Sequence, residues 1–335
     1  MNLAESFRIG DVTIPGRVLI APMTGVTDLP FRRAASRLGA PYVATEMVAC
    51  AALASGRPDV VRRAAIGDGL PLMIVQLVGH DPHWVARGAK LAEEAGAQII
   101  DLNMGCPAKE VTGYAAGSAL MRDLDRAEAI LRAAVTATSR PVSLKMRLGW
   151  DESSQNAPEL AHRAERAGVK AVTVHGRTRQ QFYQGVSNWR AVAAVKAATG
   201  LPVIVNGDVL DEATAREALD RSNADAVMIG RGIYGRPWIA AAMQNGNEAE
   251  PGPDRRLGIV LDHFRDSLRF YGGASGGDAL GLKVFRKHLG LYIERAPWPV
   301  SSAARREAKA RLCRLERAMD IETALSQLWL SAPLL

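Results

Sequence analysis

A chain of 335 residues, 48% hydrophobic and 5% aromatic, is long enough for one large domain and a smaller one. Three widely spaced cysteines argue against a disulfide framework and for a reducing compartment, and no uninterrupted apolar run reaches the ~18 residues of a membrane helix. The net charge of +7 is concentrated: from Asp254 to Asp320 there are 14 Lys and Arg against 8 Asp and Glu, which suits a polyanionic partner if it is more than solvated surface.

Met1 to Arg17 has no apolar signal-peptide core, so a soluble, cytoplasmic protein is expected. Val18 to Met23 reads as a first short strand and Phe31 to Leu38 as a helix. Tyr42 to Met47 and Leu72 to Leu77 are the second and third strands, with a helix around Asp59 to Ala65 between them. His80-Asp81-Pro82 opens a helix to Ala95, Asp81 being a plausible N-cap and Pro82 suiting the first turn. The fourth strand runs from Ile99 to Asn103. Helices are expected over Leu124 to Thr136, Ala157 to Ala167, Trp189 to Ala198 and Ala213 to Leu219. They alternate with strands at Val142 to Arg147, Ala171 to His175, Val203 to Asn206 and Ala226 to Ile229. Eight strands alternating with helices predict an α/β fold, a (β/α)8 TIM barrel. A doubly wound open sheet is the rival, but no reversal signal interrupts the units.

After Trp238 the texture changes. The expected division is a barrel over residues 1–245, a Gly/Pro/Glu linker at 246–253 and an all-α helical bundle over 254–335. Its apolar stripes are Leu257, Leu261, Phe264 and Leu268, then Phe285, His288, Leu289 and Tyr292, then Ala308, Leu312, Leu315 and Met319.

Barrel active sites lie at the C-terminal strand ends. Here those ends carry Pro22-Met23, Gln76, Asn103 with Cys106, Lys145 with Arg147, His175 with Arg177, Asn206-Gly207-Asp208, and Gly230-Arg231-Gly232. Cys106 follows the fourth strand in a tight turn, whereas Cys50 and Cys313 sit among alanines and leucines as filler. The loops after strands seven and eight are where many barrels cradle a phosphate. Gly230 to Gly235 also reads G-x-G-x-x-G, but the required βαβ unit does not follow. A phosphate site with Gln76 and Lys145 implies a flat cofactor. Flavin mononucleotide (FMN) fits, with pyridoxal phosphate on Lys145 as the competitor. His80 and His83 are a weak metal candidate, and no metal is expected.

Together these motifs resemble the tRNA-dihydrouridine synthase family over nearly the whole chain. They stand as Ala21-Pro22-Met23, Val75-Gln76-Leu77, Asn103-Met104-Gly105-Cys106-Pro107, Leu144-Lys145-Met146-Arg147, His175-Gly176-Arg177, Asn206-Gly207-Asp208 and Gly230-Arg231. Ala108-Lys109-Glu110-Val111, Gly117-Ser118-Ala119-Leu120, Phe270-Tyr271-Gly272 and Arg286-Lys287-His288 look like the bacterial B-type subfamily. The resemblance implies an FMN-dependent oxidoreductase that reduces the C5–C6 double bond of D-loop uridines in tRNA, with NADPH as electron donor. It places FMN on Pro22, Met23, Thr24, Gln76, Lys145, His175, Asn206, Gly207, Asp208, Gly230 and Arg231. Cys106 becomes the proton donor, and Asn103 and Arg177 touch the substrate. The basic helices then bind tRNA through Lys283, Arg286, Lys287, Arg305, Arg306 and Lys309. The rivals are a flavin barrel reducing a free pyrimidine or other small molecule, and a non-catalytic RNA-binding regulator on a barrel scaffold.

Overall fold

The computed structural model describes residues 1–67, 70–246, 250–272, 277–298 and 301–330. Three residues of the expected linker, 247–249, lie outside them. Ten strands occur in chain order: β1 (Phe7–Ile9), β2 (Val12–Ile14), β3 (Val18–Ile20), β4 (Val48–Ala49), β5 (Ile74–Val78), β6 (Ile99–Met104), β7 (Val142–Arg147), β8 (Ala171–His175), β9 (Val203–Asn206) and β10 (Ala226–Ile229). From β3 onward they form one parallel sheet in the order β3-β10-β9-β8-β7-β6-β5-β4.

The sheet curls until its edges meet. Single parallel bridges join Ile20 to Val43 and Ala44 to Ile74, and Ile20 N–H donates to the Tyr42 carbonyl at 3.0 Å. The expected second strand is therefore a broken stave. At its middle the Thr45 hydroxyl, not a carbonyl, accepts the Gln76 N–H at 3.0 Å, so the ladder stops and resumes only at β4. Two short helices, Cys50–Ala54 and Pro58–Arg63, follow it. Asp81 caps the helix Pro82–Glu94 as expected, accepting the His83 N–H at 2.8 Å.

β1 and β2 pair as an antiparallel hairpin that the sequence reading missed, because three-residue strands carry too little alternation to register. The hairpin's Phe7, Ile9 and Ile14 pack on Leu19, Ile74, Ile99, Ile204 and Met228. Burying each such side chain contributes ~1.5–3 kcal/mol, which holds one barrel end shut and leaves the C-terminal strand ends as the open mouth.

Beyond the barrel come helices Pro253–Gly272, Ala279–Glu294, Ser302–Leu312 and Ala318–Leu330. Val260, Phe264, Phe285, Leu289, Tyr292, Leu312, Leu325 and Trp329 form a separate apolar core. The third expected stripe is corrected: the helix ends at Leu312, another begins at Ala318, and Met319 is exposed.

Candidate active site

Cys106 hangs one turn beyond β6. The Asn103 carboxamide bends that turn, its Oδ1 accepting the N–H of Gly105 at 3.1 Å and of Cys106 at 2.9 Å. Ser118 holds the other side, its N–H and hydroxyl both donating to the Cys106 carbonyl. Gly105 passes so close to β7 that a Cβ there would lie 3.3 Å from the Met146 carbonyl carbon. Burial pushes the half-buried thiol's pKa up, so Cys106 stays protonated at neutral pH.

Below the mouth is a polar layer that the sequence marked only as one acid in an apolar strand. Asp101, 2% exposed, accepts from Gln76 Nε2 at 2.7 Å and from the Ser143 hydroxyl at 2.6 Å. Asn103 Nδ2 donates to Gln76 Oε1 at 2.8 Å. These bonds orient the Gln76 amide and leave it one N–H and one lone pair to spend. Lys145 Nζ donates to Asn206 Oδ1 at 2.9 Å, and Asn206 Nδ2 donates to the Met228 carbonyl. Asn206 thus positions Lys145 and, like Gln76, keeps one N–H and one lone pair, while the Lys145 ammonium has no other protein partner among the described residues. Burial pushes Asp101 up to about 6 and Lys145 down to about 8, each opposed by the other's charge.

On the far side, Arg177 Nη2 pairs with Asp208 at 2.6 Å, and Arg177 also donates to the Gln184 and Gly185 carbonyls. Its Nη1 sits 3.2 Å from His175 Nε2. Arginine can only donate, so His175 Nε2 accepts and its proton lies on Nδ1. Burial, with Arg147 and Lys145 nearby, holds that ring neutral. Arg177 is 2% exposed and these bonds make it an organiser of this wall. Asp208 also faces Arg231 at 3.4 Å, which leaves the half-exposed Arg231 as the accessible cation at this end. Gly207 adopts φ +112°, and a Cβ there would strike Ser187 Oγ and the His175 ring. Gly230 has open space about it. On the facing rim, Met23 N–H bonds Thr27 Oγ1, Pro22 is half-buried and Thr24 is exposed. Arg147, 1% exposed, ties the two loops together, donating to the carbonyls of Gly105, Thr178 and Phe182.

A family model described as dihydrouridine synthase matches residues 19–326. The chain belongs to the dihydrouridine synthase family. A probable tRNA-dihydrouridine synthase of Rhizobium leguminosarum bv. phaseoli is 50% identical over 284 residues, covering 85% of this chain and 87% of that protein. The tRNA-dihydrouridine synthase B of Pseudomonas aeruginosa is 41% identical over 316 residues, covering 92% and 91%. Among solved structures, a morphinone reductase in complex with tetrahydroNAD superposes with a TM-score of 0.54 at 16% identity, over 76% of this chain and 94% of that one. That likeness is one of fold.

In this dihydrouridine synthase the basic residues of the C-terminal helices divide. Lys283 and Arg306 are exposed. Lys287 reaches back to the barrel rim and donates to the Thr24 carbonyl at 3.1 Å. Lys309 pairs with Glu294, and Arg286 is half-buried. Arg305 turns inward: it donates to the carbonyls of Ile293, Ala296 and Trp298, closing the end of helix Ala279–Glu294. Arg305→Ala therefore strands those carbonyls and is expected to cost about 1–3 kcal/mol in a denaturant melt. It should leave the salt dependence of RNA binding unchanged. Arg306→Ala is expected to do the reverse, lowering the log–log salt slope by about 1 with no change in melting.

Proposed function

We propose that this protein is a tRNA-dihydrouridine synthase, an FMN-dependent oxidoreductase that uses NADPH to reduce the C5–C6 bond of D-loop uridines. The observation that carries the reading is a thiol, Cys106, whose loop Asn103 holds at the rim of a mouth whose floor supplies one partly bonded amide and one half-buried ammonium. The residues suit FMN. Gln76 offers a donor and an acceptor to a ring edge, Lys145 keeps two N–H groups unspent, and Gly207, Gly230 with open space about it, and the cation of Arg231 suit a phosphate. A Schiff base on Lys145 would leave that nitrogen at most one N–H, which Asn206 already takes.

When bound, reduced FMN supplies a hydride to uracil C6. Cys106 then gives its proton to C5 from the opposite face, as a general acid. Asn103 keeps Cys106 in place, and its remaining Nδ2 hydrogen is available to a uracil carbonyl. The target uridine leaves its stack to enter the mouth. Residues 254–335 are read as the tRNA-binding unit, with exposed Lys283 and Arg306 on phosphates and Lys287 placing that face beside the rim.

The test supplies unmodified tRNA, FMN and NADPH to the protein and measures nucleosides by mass spectrometry. New dihydrouridine is expected. Reduction of free uracil with none in tRNA would move the substrate to a small molecule. A protein that binds tRNA but retains no flavin would favour the regulator.

A further inference from the structure

Away from the mouth, three side chains converge where the barrel meets the C-terminal helices. Asp28 precedes the barrel helix Leu29–Arg37, His263 lies in helix Pro253–Gly272, and His288 in helix Ala279–Glu294. They are 4%, 1% and 3% exposed. One ligand atom from each lies within 4.8 Å of the other two, the only such group of histidine, cysteine and carboxylate atoms among the described residues.

Their hydrogen bonding is incomplete on one side only. Asp28 Oδ1 caps the barrel helix through the Phe31 N–H, and its Oδ2 accepts from the Tyr271 hydroxyl at 2.9 Å. His263 Nδ1 is 2.9 Å from the Tyr292 hydroxyl. The Nε2 atoms of His263 and of His288 are buried with no partner. His288 Nε2 is 3.9 Å from Asp28 Oδ1, too far for a hydrogen bond. Phe31 stacks on the His288 ring at 5.5 Å and meets His263 edge-on, and Phe285 meets His263 edge-on, so neither imidazole is free to turn away.

We propose that Asp28, His263 and His288 bind a zinc-type divalent metal ion that pins the barrel to the C-terminal helices. Two imidazole nitrogens and a carboxylate oxygen, with a water as fourth ligand, are a donor set that zinc takes, and ligand atoms around four-coordinate zinc lie roughly 3.3 Å apart. The outer partners are in place: Tyr292 on His263 Nδ1 turns Nε2 toward the ion, and Tyr271 steadies the carboxylate. The other charges facing the group are Arg32, which is bonded to the carbonyls of Thr27 and Ala65, with Asp266, Glu46 and Lys287. Arg32 is thus tied to backbone, and the carboxylate keeps a lone pair for a metal.

The test begins with the full-length protein, dialysed exhaustively and analysed by inductively coupled plasma mass spectrometry. About one zinc per chain is expected. After stripping with a chelator, Co2+ should restore the visible d–d absorption of a four-coordinate site and raise the melting temperature. His263→Gln and His288→Gln should lose the metal. Tyr292→Phe, which keeps the packing, should weaken its binding roughly 10–100-fold. Cys106→Ala should retain it. A metal-free protein whose melting and spectrum ignore both Zn2+ and Co2+ would overturn the proposal and leave a water-bridged cluster. So would a metal that leaves with Cys106 and stays in the histidine variants.

Discussion

Cys106→Ala is expected to lower dihydrouridine formation by roughly 10²–10⁴-fold, the range for loss of a positioned general acid. Flavin content and tRNA affinity should not change, because the loop is held by Asn103 and Ser118 through the backbone of residue 106 and not through its side chain. Single-turnover assays on flavin-loaded protein, read by nucleoside mass spectrometry, separate the chemical step from binding. The pH profile adds a sign. As the proposed donor Cys106 acts as the thiol, so activity is expected to be complete below the thiol pKa and lost as pH rises through it. Burial raises that pKa, so the falling limb should lie above the ordinary thiol range, with a plateau through neutral pH. A wild-type rate that falls between pH 6 and 8, roughly two units below an unperturbed thiol, would assign the proton to another group.

Asp101→Leu is expected to cost about 3–5 kcal/mol, as when one partner of a buried charged network is removed. It strands Gln76 Nε2 and the Ser143 hydroxyl in a dry barrel centre and removes the anion that favours charge on Lys145. The freed Gln76 amide should also weaken flavin retention. Asp101→Asn keeps one acceptor oxygen but turns an NH2 toward a donor, so its loss should be smaller in both respects. Urea melts with flavin content measured on the same samples check the pair. Equal effects of the two variants would show that volume, not hydrogen bonding, is what the site needs.

Much of the fold was legible because its signals are local. The strands Val142–Arg147, Ala171–His175, Val203–Asn206 and Ala226–Ile229 have the bounds their sequence indicates, since each is a short apolar run punctuated by a helix stop and a polar end. The same punctuation put Cys106, Gln76 and Lys145 at strand ends. Where local signals conflicted with tertiary bonding, the reading slipped. The second stave was expected to be continuous, but the Thr45 side chain replaces a backbone acceptor and interrupts it. One helical stripe was drawn through Met319, although the chain breaks after Leu312.

By itself, the sequence determined the closed barrel, the mouth at its C-terminal strand ends, the thiol at the rim and the basic helices, because periodicity, turn residues and charge are carried by near neighbours. Only the tertiary structure decided which polar groups are still free to act. Arg177 and Arg305 read as substrate and tRNA contacts, and the fold shows that both guanidinium groups also donate to backbone carbonyls. Asn206 reads as a cofactor ligand, and the fold adds that its amide also holds Lys145; Asp28, His263 and His288 are distant in sequence and meet only where three elements pack. The physical reason is that a donor can be spent only once, and the partner that spends it usually comes from a distant part of the chain.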